Sequence, residues 1–428
     1  PISAHRTRGS LRYARPGDPD GGESVVRWAG TVRARRDWAV GGLEAELDRV
    51  DLGQVARLLP ALRLRGNATG RVTADGSLTN GLNVTGDLAL QRGGTTSQVR
   101  GGGRLAVGGN RSLFDLRFDA EPLALDLLAA QFPALARLTG EARGPVTVTG
   151  SLEDLRVEAD IVTPAGGIAL DGTFALTGAR PRYRAEGEVT DFRLDRVVGG
   201  LPVTSLTARF DLDGEGELPE DLRGSLALQV FAAEVDGIQV HQGAVRVRAS
   251  DGLLHVDTLD LATAAGDLAA SGDLGLLADR AGELRFALVA DSLGLLEPVV
   301  LPPPALPDTA FFPEARLAGL VTAEGVVRGS IESWALAGRV SVRDGLYEDL
   351  RVRRGDVAAE WTPGDGRITL TGSVDSLLFR DHFLPRGRVE GRYAAGQGEL
   401  AVDLQGPGLQ RLEAAGDFTR VVDSARFT

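Results

Sequence analysis

Residues 118–163 read FDAEPLALDLLAAQFPALARLTGEARGPVTVTGSLEDLRVEADIVT. The stretch changes period in the middle. Over Leu123–Leu135 the apolar residues Leu125, Leu128, Ala129 and Phe132 fall at helical spacing, and Pro133 stands where such a helix should end. Beyond it the period drops to two: Val146 and Val148, then Leu155, Val157, Ala159 and Ile161, with polar or small residues between. That is the pattern of half-buried strands, and Gly150-Ser151-Leu152-Glu153-Asp154 supplies the turn between them.

The same order recurs along the chain, and recurrence decides the fold class. Residues 46–90 carry a helical face at Leu52, Val55, Leu58 and Leu59, a stop at Pro60 and a turn at Gly76-Ser77-Leu78. A third copy begins at Phe192 and passes through strands Leu206–Leu212 and Leu226–Val230, around Gly216-Glu217-Leu218. A fourth begins at Ser292, is interrupted by a proline-rich insertion at 297–316, and resumes at Leu317. The turn glycines Gly76, Gly150, Gly216 and Gly329 are 74, 66 and 113 residues apart. The expected organisation is a polar terminus and the end of a preceding repeat at 1–45, then repeats at 46–120, 121–190, 191–290 and 291–428. Residues 1–24, with Gly-Asp-Pro-Asp-Gly-Gly, read as loop.

The clearest alternation is Ile168–Thr177, where every even position is apolar or Gly and the odd ones are Ala, Asp or Thr. One apolar and one wet face mark an antiparallel sheet, because parallel sheets are covered on both sides. The fold class predicted is all-β with short helices: an elongated, curled antiparallel sheet with an apolar concave face. An apolar face of this extent cannot stay open to water, since burial is worth ~25 cal/mol per Å². It must pack as a sandwich, close as a barrel, or curl into a groove that holds an apolar ligand. Aromatics make up only 5 % while glycines number 57, which suits a thin sheet with many turns better than a large aromatic core.

Composition excludes several chemistries. The 428 residues include no Cys, so disulfides and thiolate metal sites are ruled out. All 47 basic residues are Arg, which removes the P-loop lysine and Schiff-base chemistry. The net charge of −12 argues against nucleic acid as a partner. No apolar run reaches the ~18 residues of a membrane helix. The ends are strand-like, so the chain reads as part of a longer protein, and any anchor would lie outside this segment.

The order of short helix (LGQVARLLPAL, LDLLAAQFPAL) and GxVTVxGSLxxLxVxxD strands resembles the AsmA-like proteins, above all the large TamB-type members of the translocation and assembly module. These are similar to the repeating β-groove, or bridge-like, lipid-transfer proteins. The resemblance covers about residues 46–420. It implies a curled sheet in the periplasm of a Gram-negative-type bacterium, anchored at the inner membrane through parts outside this chain. It also implies passive carriage of phospholipid acyl chains towards the outer membrane, in support of outer-membrane biogenesis, and an outer-membrane barrel protein as partner. With roughly two dozen strands at ~4.8 Å spacing, one continuous sheet would be ~100 Å long or more.

The residues expected to line such a groove come from the alternating positions. In the first half they are Leu88, Leu90, Val146, Val148, Val157, Ile161, Ile168, Leu170, Phe174, Leu176, Phe210 and Leu212. In the second they are Leu226, Leu228, Val230, Phe286, Leu288, Val340, Val342, Ile368, Leu370, Leu400, Val402 and Leu404. No catalytic residue, metal or cofactor is expected. His5, His241, His255 and His382 lack H-x-x-H spacing and read as surface histidines. Asp211, Asp213, Glu215 and Glu217 alternate with glycine and apolar residues, but they lack calcium-loop spacing and read as an acidic hairpin turn. Four Trp (Trp28, Trp38, Trp334, Trp361) are scattered in sequence, against the aromatic platform a glycan enzyme needs. The competing class is a structural or interaction protein with a self-packed core, either an outer-membrane protein assembly factor or a surface β-solenoid adhesin.

Overall fold

The computed structural model is antiparallel β-sheet almost throughout. It describes residues 5–14, 23–34, 38–53, 66–92, 94–106, 113–125, 140–178, 180–196, 203–216, 218–235, 237–290, 317–347, 350–362, 366–379, 382–394, 397–406, 411–421 and 424–427. The chain forms two compact units, Pro1–Leu218 and Pro219–Thr428.

The first unit holds β1 (His5–Ala14), β2 (Glu23–Ala34), β3 (Trp38–Asp51), β4 (Asn67–Ser77), β5 (Gly81–Arg92), β6 (Thr95–Ala106), β7 (Leu113–Ala124), β8 (Glu141–Ser151), β9 (Asp154–Thr163), β10 (Gly166–Ala175), β11 (Arg182–Arg193) and β12 (Thr204–Glu215). Each strand pairs antiparallel with the next, from β1 to β12. The second unit repeats the plan with β13 (Arg223–Val235), β14 (Ile238–Ser250), β15 (Leu253–Thr263), β16 (Gly266–Gly275), β17 (Gly282–Ala290), β18 (Leu317–Gly329), β19 (Trp334–Tyr347), β20 (Leu350–Thr362), β21 (Arg367–Phe379), β22 (His382–Ala394), β23 (Gln397–Gln405), β24 (Arg411–Val421) and β25 (Ser424–Phe427). It too is an unbroken meander. Most connections are too short for a crossover, and the strands on either side of the four longer ones still pair with each other.

Within each unit a meander puts all odd-to-even connections on one rim and all even-to-odd ones on the other. The turn glycines sit on the even-to-odd rim of their own unit, at or just past the ends of β4, β8 and β12 in the first and at the end of β18 in the second. All have positive φ: Gly76 117°, Gly150 98°, Gly216 99° and Gly329 129°. At Gly150 a Cβ would stand 2.2 Å from the Asp154 carbonyl oxygen, so only glycine fits. The interruptions of the ladder use the opposite rim, after β3, β7, β11 and β17. Two of them close alike: the Leu52 N–H donates to the Gly66 carbonyl and the Leu125 N–H to the Gly140 carbonyl, each at 2.9 Å. The repeat is therefore an interruption plus four strands, β4–β7 and β8–β11. The third interval holds six strands, which accounts for its greater length.

Several expectations change. The helix expected from Leu123 begins at Leu125, because β7 continues through Leu123, which pairs with Ala142 past a register shift. Leu52 and Gly53 are helical, and Leu194–Arg196 forms a 3₁₀ turn. The rest of those helical stretches (Val55, Leu58, Leu59 and Pro60; Leu128, Ala129, Phe132 and Pro133), Ser292 and the insertion 297–316 lie outside the described residues. The loop expected over 1–24 contains a ten-residue strand, β1. Its arginines Arg6, Arg8 and Arg12 take alternate positions, and Gly9 lies opposite Trp28, whose ring a Cβ on Gly9 would meet at 2.5 Å. The repeat boundaries at 120/121 and 190/191 fall inside β7 and β11.

Among the described residues the largest fully buried side chain is Ser97. The large apolar side chains among the described residues are mostly half-buried and build no thick core. Yet the two faces differ for the same residue type. Ala185, in mid-strand on the apolar side, is 4 % exposed, while Ala169 on the polar side is exposed. A flat single layer would treat them alike; a sheet curled towards its apolar side shelters one and not the other.

Glycine allows that curl. At several places on the apolar side a ring stands opposite a glycine and lies over it, as Phe118 does with Gly101, Phe210 with Gly187 and Phe286 with Gly325. A Cβ on Gly187 would meet the Phe210 ring at 2.8 Å and the Ala169 carbonyl oxygen at 2.1 Å. A Cβ on Gly325 would meet the Phe286 ring at 2.8 Å. We expect Gly187→Val and Gly325→Val each to cost ~1–3 kcal/mol by overpacking. Thr173→Val, on the other face, should shift stability by no more than ~0.5 kcal/mol. Urea denaturation of the three variants tests this.

Candidate functional site: the apolar face

Antiparallel partners point to the same side of a sheet, so register alone assigns the faces. In the first unit one row crosses nine strands, β4 to β12: Val72, Gly86, Gly101, Phe118, Val146, Ala159, Leu170, Gly187, Phe210. The neighbouring row reads Ala74, Val84, Gly103, Leu116, Val148, Val157, Gly172, Ala185, Leu212. Neither contains a polar side chain. In the second unit a row crosses eleven strands, β13 to β23: Val230, Gly243, Leu261, Leu268, Leu288, Ala323, Val340, Val357, Gly372, Val389, Val402. The next runs Leu228, Val245, Leu259, Ala270, Phe286, Gly325, Gly338, Ala359, Leu370, Gly391, Leu400.

The residues selected from sequence share these faces. Leu88 and Leu90 stand opposite Val99 and Ser97, and Ile161 opposite Ile168. Phe174 stands opposite Leu155, Leu226 opposite Val247, and Val342 opposite Val321. Ile368 stands opposite Trp361, and Leu404 opposite Gly387. Leu176 is the exception in position: it lies just past β10, its N–H donating to the Leu152 carbonyl at 2.8 Å. Val230 is buried at 6 % exposure and the others are half-buried. They are neither sealed in a core nor standing free in water.

The opposite face is charged. Arg71, Asp87, Arg100 and Asp119 form one cross-strand ladder, and Arg156 pairs with Asp171 at 2.6 Å. Asp211–Glu215 corrects the hairpin-turn expectation: these residues lie within β12, where Asp213 pairs with Arg184 and Glu215 with Arg180. An alternating acidic run is what a strand with one wet face looks like. Such exposed pairs are screened by solvent, add little to stability and serve mainly to keep this side wet. Among the described residues no three His, Asp or Glu side chains gather as a metal site.

The register joins what the sequence left apart. Trp334 and Trp361 lie 27 positions apart in the chain but their ring centroids are 4.4 Å apart, tilted by 50°. Both belong to the apolar side of the second unit, at its even-to-odd rim, and Trp334 is 40 % exposed. No sequence spacing announces this pair; only the β19–β20 register does. Of the histidines, His241 and His382 are exposed, and His255 meets polar partners on the wet face of the second unit.

The odd-to-even rim of the first unit is held by a polar clasp. Arg193 grips Asp195 through two N–H donors at 2.8 Å each, and the Thr204 N–H donates to the same carboxylate at 3.1 Å. The Arg193 fork, followed by the Thr204 N–H, holds the Asp195 carboxyl well below the usual carboxylate range. No family model, curated protein or solved structure matches this chain.

A depressed folded-state pKa adds stability above the unfolded value of ~3.9 and loses it as pH falls towards the folded value. We therefore expect Asp195→Asn to lower the melting temperature at pH 7. The gap to wild type should close as pH falls from ~4 to ~2. Thermal melts across that range check it.

Proposed function

We propose that this chain is a segment of a lipid conduit, in which phospholipid acyl chains lie on the apolar side of each sheet and move along it passively. The observation that supports it is the pair of rows, nine consecutive strands in the first unit and eleven in the second, without a polar side chain, half-sheltered by curvature and covered by no second sheet among the described residues. Such a surface gains ~0.8 kcal/mol for each acyl CH₂ it shields. Every position offers a similar aliphatic contact, so a chain can shift from one strand to the next without a deep trap. That is the energetic requirement of a conduit, and it needs no catalytic group. In this reading the conduit works in the periplasm, is held to the inner membrane by an anchor elsewhere in the protein, and delivers towards the outer membrane, with a barrel protein as receiving partner. Among the described residues no helix is long and apolar enough to cross a membrane.

The test is native mass spectrometry with lipid extraction on the purified chain. Several phospholipids per chain are expected, and Leu170→Asp or Leu288→Asp should each reduce the number bound while the strand content seen by circular dichroism stays the same. A folded, lipid-free wild type would instead support a structural role.

A further inference from the structure

The wet face of the second unit carries a different arrangement. Ser250 ends β14, His255 lies near the start of β15, and Asp273 lies in β16. Register places His255 opposite both Arg248 and Asp273. These residues point away from the apolar row, which Leu254, Val256 and Leu274 occupy on the other side. Ser250 Oγ is 3.0 Å from His255 Nε2, and His255 Nδ1 is 2.6 Å from Asp273 Oδ1.

A carboxylate only accepts, so Nδ1 of His255 carries a proton and donates it to Asp273. In the neutral imidazole this leaves Nε2 with its lone pair towards the Ser250 hydroxyl, which then donates. This is the order of nucleophile, base and orienting carboxylate, with both distances inside the working range of ~2.6–3.2 Å. Arg248 does not compete for Asp273, because Asp257 clamps it at 2.7 and 2.5 Å. The residues after Ser250 form the hairpin turn: Asp251 has φ 53° and Gly252 φ 75°. The last ladder pair joins Ser250 to Leu253, so Asp251 and Gly252 form a two-residue turn directly after the serine. Leu277 borders the turn, its Cδ1 3.0 Å from where a Cβ on Gly252 would stand, and supplies an apolar wall.

We propose that Ser250, His255 and Asp273 form an ester-hydrolysing site on the polar face of the second unit, open to small carboxylic esters from solvent. Ser250 Oγ bonds to the ester carbonyl carbon while its proton passes to His255 Nε2. The tetrahedral oxyanion collapses, the carbon–alkoxide bond breaks, and His255 returns the proton to the departing alcohol. Water then attacks the acyl-Ser250 with His255 as base, releasing the acid and restoring the serine. Ser250 and His255 are the catalytic residues, and Asp273 is a positioning residue. The site faces away from the apolar side, so it stands or falls independently of lipid carriage.

The test is hydrolysis of p-nitrophenyl acetate by the purified chain, with a fluorophosphonate probe and peptide mass mapping to locate the nucleophile. Ser250→Ala sets the background from other imidazoles. Wild type should exceed it by ~100-fold or more. His255→Gln should fall to background, Asp273→Asn should lower kcat with KM unchanged, and the probe should mark Ser250. A wild-type rate equal to that of Ser250→Ala, with Ser250 unlabelled, overturns the proposal. The three side chains lie on the half-exposed polar face, and circular dichroism confirms that each variant folds.

Discussion

The structure depends on one packing constraint: ring side chains in the middle of the apolar face need an empty place beside them on the neighbouring strand. Phe118 faces Gly101, Phe210 faces Gly187 and Phe286 faces Gly325 across the ladder. A side chain at the glycine would collide with ring or backbone. With that space, a single layer of strands curls until its apolar side is half-sheltered by itself. No second sheet is then required to make the face tolerable in water, and the hydrophobic energy of that face is only partly satisfied. In the proposed function, an acyl chain takes up the unmet remainder.

The opposite side obeys another rule. Its arginines and carboxylates alternate along strands and pair across them, so the register that aligns Val148 with Val157 also aligns Thr147 with Glu158. A one-residue slip would carry every charge into the apolar row, and this opposition specifies the pairing more firmly than any one ion pair could. It also separates two kinds of chemistry. The apolar side offers interchangeable contacts suited to sliding, whereas the wet side can hold fixed hydrogen-bond geometry, as at His255 and Asp273.

Much of this was legible in the residues themselves. Period two at Ile168, Leu170 and Phe174 gave the strand and its face, and the recurrent turn glycines at 76, 150, 216 and 329 marked ends of even-numbered strands, each on the even-to-odd rim of its own unit. What stayed hidden depends on register between strands. Leu123 has a helical neighbourhood, yet pairing with Ala142 keeps it in β7. The first residues look like polar loop because β1 puts arginine on its wet side and needs few apolar residues. Trp334 with Trp361, and Ser250 with His255 and Asp273, meet only once neighbouring strands are aligned.

The most direct test of the central claim asks whether the apolar side is open to a reagent once lipid is removed. The chain has no cysteine, so single replacements report cleanly. Leu170→Cys and Val402→Cys, in delipidated protein, should react with a water-soluble maleimide at rates comparable to Ala169→Cys on the wet face, and should be protected when phospholipid is restored. Protection of both positions in the lipid-free chain, by a factor near that of a buried core residue, would show the apolar sides packed against protein and contradict the account.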